Sequence, residues 1–192
     1  MRLIDHIPQL VKANSCDPAR ALDRVSYGLG MPARKQPTSE EAAIARWRLL
    51  DGLGGDKDIF EVMAGLASLH PRGNTFPGEV FLRLAAEALG WCGASQADPV
   101  PLEGIRERFL PECSFRGRDN RKLQFAVLAA AALCGGAEPD LLGEVVWWQT
   151  DDFWQYALFA AVAYIRIAAD RAGVPVLEVC RELAQLPGSQ PG

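Results

Sequence analysis

Apolar residues recur along this chain at three- and four-residue intervals, the spacing of one face of an α-helix, and no segment sustains the two-residue alternation of a half-buried strand. The pattern predicts an all-α fold. Thr38 and Glu41 form a capping box that opens a helix with Ile44, Trp47 and Leu50 as its apolar face and Gly52 as its stop. Asp56 is placed to cap a second helix, which puts Ile59, Val62, Met63, Leu66 and Leu69 on one side. After a loop at 71–75, a third runs to Gly90 with Val80, Phe81, Leu84, Ala85 and Ala88 inward, and Glu79, Arg83 and Glu87 spaced as an outward salt-bridge stripe. A looser stretch leads to a short helix with Leu102, Ile105 and Phe109 as its apolar side, stopped by Pro111.

The next segments have a different pattern. The helix expected from about Asp119 to Cys134 is apolar almost all round beyond Gln124, and the one from Phe153 to Ala172 carries no charge between Tyr156 and Ile165. Helices apolar on every side are buried on every side, so these two are expected at the centre of a compact multi-helix bundle of about eight or nine helices. Pro139 and Pro175 sit at helix starts, the latter opening a last helix with Val176, Val179, Cys180 and Leu183 on its buried side. Four stretches also share a grammar: an alanine-rich helix, a glycine stop (Gly52, Gly90, Gly135, Gly173), a capping residue (Asp56, Pro101, Pro139, Pro175), then a second helix. That is a weak helical-hairpin repeat with a period of roughly 40 residues, and a short α-solenoid is the alternative architecture. The expected division is an N-terminal helical or irregular segment over 1–37, a helical bundle over 38–186 and a disordered tail over 187–192.

Composition narrows the class. The chain has 192 residues, 49% of them apolar and 23% charged, with a formal charge of −4, which argues against a disordered chain and against one held to nucleic acid by bulk electrostatics. Cys16, Cys92, Cys113, Cys134 and Cys180 contain no CxxC spacing, and His6 and His70 stand in no ligand pattern, so no metal and no cofactor is expected. Asp5 and His6 interrupt the start where a secretory signal would be apolar, and the uncharged runs fall short of the roughly 20 residues of a membrane span. A cytoplasmic protein with reduced, buried thiols and no membrane partner is the expectation. The excess of arginine over lysine, with abundant alanine and glycine, hints at a GC-rich bacterial genome.

Two clusters carry candidate chemistry. Trp147, Trp148, Phe153, Trp154, Tyr156 and Phe159 crowd into 13 positions. Trp148 and Phe153 flank a helix start as a hydrophobic staple does; the alternative is that Trp147, Trp148, Phe153, Trp154 and Tyr156 line a partner-binding surface or a ligand pocket. The second cluster is basic: Arg116, Arg118, Arg121 and Lys122 lie ahead of and within a helix's first turn, opposing its dipole. They either pair with Glu103, Glu107, Glu112 and Asp119 on a solvated surface or dock an acidic protein segment or anionic ligand.

The stretch AADRAGVPVLEVCREL places Ala169, Gly173 and Val179 at tight-turn spacing and resembles a helix-turn-helix over about 20 residues. Glu178 and Glu182, against a lone Arg181, depart from a phosphate-facing helix, and Glu182 stands where that motif buries an apolar residue. DNA regulation is therefore the third functional expectation. The first is a non-catalytic helical protein acting through protein–protein contact or self-association. The second is a small-molecule-binding protein or unrecognised enzyme with an inter-helix pocket lined by tryptophans.

Overall fold

The computed structural model describes residues 39–68, 78–91, 102–134 and 153–185. Every regular element among them is helical: α1 (Ser39–Gly54), α2 (Ile59–Ala67), α3 (Gly78–Trp91), the single turn α4 (Leu102–Gly104) running into a π-helical turn (Ile105–Phe109), α5 (Arg118–Cys134), α6 (Phe153–Ala172) and α7 (Val176–Gln185). No described helix is long and apolar enough to cross a membrane. The expected helix near Pro139, the stop at Gly135, the apolar-face position Leu69, and the segments 1–38 and 186–192 lie outside the described residues.

The charge-free pattern of α6 has the structural consequence expected of it. Phe153 and every residue from Tyr156 to Ile165 are buried, and α6 packs against α3 most extensively, then α5, α7 and the π turn. A helix of this composition has small alanines on several sides, Ala157, Ala160, Ala161, Ala163 and Ala168, which let neighbouring backbones approach all round. α5 contributes Leu123, Phe125, Ala126, Val127 and Ala130 to the same core, but α3, through Phe81, Leu84, Ala85 and Ala88, is the principal partner of α6. α1, the first described helix, lies against α7, the last. Contacts between elements this far apart in the chain make the packing non-sequential.

Several sequence expectations shift for local physical reasons. α1 runs past Gly52, because the cap lies further on: Lys57 N–H donates to Gly52 O at 3.1 Å and Asp56 N–H to Leu53 O at 3.3 Å, with Asp56 at φ 57°. That is a Schellman motif with an aspartate in the left-handed position, a conformation Asp tolerates better than most residues. Asp56 thus closes α1, and Asp58 caps α2 by accepting Phe60 N–H at 2.7 Å. Gly52 has a packing role instead: a Cβ there would sit 2.6 Å from Val62 Cγ2. Gly173, at φ 68°, does stop α6 through the same pair of bonds, Val174 N–H to Ala169 O at 3.1 Å and Gly173 N–H to Asp170 O at 3.3 Å.

The inward face of α1 also differs from the pattern. Ala45, Leu49 and Leu53 form its buried row with Leu50 beside them, while Ile44 is half-buried and Trp47 is 44% exposed. Two apolar rows run along this helix, and the smaller side chains occupy the tight interface. In α3, Glu79 and Arg83 make the expected outward pair, with Arg83 Nε donating at 2.9 Å, but Glu87 turns to Arg46 of α1. The Arg46 side chain is buried, and its Nη2 donates to Leu183 O of α7 at 2.7 Å while lying 2.5 Å from Glu87 Oε2. Glu87 Oε2 accepts no hydrogen bond, so the carboxylate contact is an ion pair alone. One guanidinium therefore ties α1, α3 and α7 together.

Candidate functional site

The α1–α7 pair leaves a groove of about 380 Å³ on the surface. The two helices run antiparallel: Gly54, at the end of α1, would place a Cβ 3.0 Å from Leu177 Cδ1 at the start of α7, and Arg46 reaches Leu183 O at the other end. Trp47, Leu50 and Asp51 form the α1 wall, Gly54 and Gly55 its glycine end, and Leu177, Cys180, Arg181 and Ala184 the α7 wall. Two of the three large hydrophobic side chains exposed among the described residues, Trp47 and Leu177, stand on this groove; the third, Phe60 at 45% exposure, is on α2. The Arg48 guanidinium lies 5.6 Å from the centre of the Trp47 ring, a cation–π contact.

The groove's chemistry is that of binding rather than nucleophilic attack. Its thiol, Cys180, is buried, and desolvation pushes it up to about 12, so it is protonated at neutral pH. Asp51 and Arg181 are exposed and take part in none of the ion pairs among the described residues. Among those residues no group of acidic, histidine and cysteine side chains is arranged to hold a metal ion.

The aromatic cluster is divided by the structure. Phe153 and Tyr156 belong to the core: Phe153 packs edge-on against Phe125 at 6.0 Å, and Tyr156 meets Phe159 at 6.1 Å and Phe115 at 6.4 Å. Trp154 is half-buried against the same core, and Trp147 and Trp148 lie outside the described residues. Tyr156 keeps its hydroxyl bonded to Asp119 Oδ1 at 2.7 Å. A buried phenol needs such a partner.

The basic cluster does not converge either. Lys122 is buried with its ammonium 5.1 Å above the Tyr156 ring, while Arg116 and Arg121 are exposed, and the side chain of Arg118 lies outside the described set. Two of the four acids expected to neutralise the cluster have partners outside it. Glu112 pairs with Arg166 at 2.6 Å and Asp119 accepts from Tyr156. Arg108 forks onto both carboxylate oxygens of Asp170 at 2.7 and 2.9 Å. Together with Arg166 Nη1, which donates to Phe109 O at 2.7 Å, these bonds fasten the π turn to α6. Cys113, just beyond that turn, is pushed up to about 12 by burial and the adjacent Glu112, against the lowering effect of Arg166.

On α7, Glu178, Arg181 and Glu182 are all exposed. The Gly173 turn is as tight as the helix-turn-helix resemblance implies, but two carboxylates on the solvent side of the second helix repel phosphate. Sequence reasoning missed the groove because it assigned Trp47 to the interior. The available signal was the second apolar row of α1, where Ala45, Leu49 and Leu53 already satisfy helical spacing without a tryptophan. Comparison with family models, with curated proteins and with solved structures finds no match to this chain.

Proposed function

We propose that this chain is a cytoplasmic binding protein that works by protein–protein contact, and that the α1–α7 groove is the face on which a helical surface of another polypeptide seats. One observation carries the reading: Trp47 and Leu177, 44% and 40% exposed, stand on one groove between two antiparallel helices whose charged side chains there, Asp51 and Arg181, make no ion pair among the described residues. Tryptophan is the residue type most enriched among interface anchors, and an apolar groove between helices fits a helix laid along it. Arg46 supports the role by fixing the helices in register. Cys113, Cys134 and Cys180 are free thiols, in keeping with a reducing compartment.

The test is site-specific photo-crosslinking in cells expressing the chain, with a photoreactive phenylalanine analogue in place of Leu177 and, as control, of the exposed Glu61 on α2. A discrete adduct from position 177, its partner identified by mass spectrometry, and none from position 61 is the expected result. Absence of an adduct at 177, or equal adducts at both, overturns the proposal.

A further inference from the structure

Resting on the reading of the α1–α7 groove as a protein-binding face, we infer that its occupant is the same face of a second copy of this chain, the two related by a two-fold axis running along the groove. The evidence is self-complementarity in size and charge, rung by rung. Because α1 and α7 are antiparallel, with Gly54 level with Leu177, large side chains on one helix stand level with small ones on the other. Leu177 on α7 lies against Gly54, beside Gly55, at the end of α1, and the equal helical rise over 47–54 and 177–184 brings Trp47 on α1 level with Ala184 on α7. Between these rungs lie an acid on one wall, Asp51, and a base on the other, Arg181.

A two-fold axis along the groove lays α1 of one copy over α7 of the other at the same height. Each Trp47 then meets the second copy's Ala184, each Leu177 meets a glycine pair, and each Asp51 meets an Arg181, every contact occurring twice as an isologous interface requires. A two-fold axis across the groove would instead set Asp51 over Asp51 and Arg181 over Arg181. Like charges face to face in an interface are strongly unfavourable, so charge selects the first operator. No ion pair within the chain competes for either side chain among the described residues.

Sedimentation equilibrium of the full chain at low ionic strength, with circular dichroism to show that each variant stays folded, tests the inference. The wild type is expected to be a dimer, with Asp51→Arg or Arg181→Asp each weakening it by about 100-fold because two like-charge contacts replace two pairs. The double variant Asp51→Arg with Arg181→Asp is expected to return to within about tenfold of wild type, a recovery that generic surface disruption cannot produce. A wild type still monomeric at about 100 µM, where even a micromolar dimer would be nearly complete, overturns the inference, as does a folded double variant that stays apart. The crosslinking separates this failure from that of the binding reading. An adduct at position 177 of twice the 20.9 kDa chain supports self-association, and one to a different protein keeps the face and overturns the second copy as its occupant.

Discussion

Replacing Arg46 by methionine removes a guanidinium that links three helices while keeping most of its aliphatic volume. Two effects follow. Leu183 O loses a charged donor at 2.7 Å inside the protein, a loss of roughly 1.5–3 kcal/mol for a hydrogen bond of this class. Glu87 loses its counter-ion, but its side chain is 36% exposed and can turn toward water, so this adds less than about 1 kcal/mol rather than the full penalty of an orphaned buried charge. The expected destabilisation is about 2–3 kcal/mol, measured as a lower urea midpoint with unchanged slope, or a melting temperature lower by roughly 5–10 °C for a chain of this size. Adding Glu87→Leu to the Arg46→Met background should recover part of the loss, since no carboxylate is then left beside an apolar side chain. A loss below about 0.5 kcal/mol for Arg46→Met, or a double variant whose loss is the simple sum of the singles, would refute the picture of a three-helix tie.

Other outcomes follow from single contacts. Gly52→Ala should destabilise by about 1–2 kcal/mol in urea unfolding despite alanine's better helix propensity, because the new Cβ meets the stiff Val62 side chain at 2.6 Å; Val62→Ala in the same chain should remove most of that penalty. Asp170→Asn should cost under about 1 kcal/mol, because the Arg108–Asp170 fork is exposed on both sides, and 1 M salt should erase the difference from wild type. Cys180, at about 12 instead of the ordinary 9.0, should react with a thiolate-selective reagent at pH 8 roughly a thousandfold more slowly in the folded chain than in urea. The same shift has a sign in stability. The folded chain holds this proton more tightly than the unfolded one, so the contribution is fully present below pH 9 and is lost as pH rises toward 12; a folded-state rate equal to that in urea would contradict it.

How much of this was legible in the residues depends on whether local pattern or tertiary geometry decides. The absence of charge from Tyr156 to Ile165 was enough to place α6 at the centre, because a helix without a polar face has only one stable location. Gly173 as a stop was legible for a similar reason: the residue after a helix that must turn left-handed is most easily glycine. Gly52 carried the same signal and had a different role, because a close approach to another helix looks identical in one dimension. Asp56 read as an N-cap and served as a C-terminal closure two residues before the true cap, Asp58.

The groove was the least legible feature. Trp47 and Leu177 are 130 positions apart, and nothing local to either helix announces that they line one groove. The clusters that stood out in the sequence were dispersed by folding. Lys122 turned inward over Tyr156, and Phe153 went to the core, since dense runs of aromatic and basic residues on one helix necessarily point in several directions.

Hydroxyl-radical footprinting of the full chain over a range of concentration tests most directly whether the α1–α7 face is both open and adhesive. Trp47 and Leu177 should be modified readily in dilute solution and become protected together as concentration rises, while Phe60, equally exposed on α2, keeps a constant rate. Trp47 inert in dilute solution, or Phe60 protected in parallel with it, would contradict the assignment of this face.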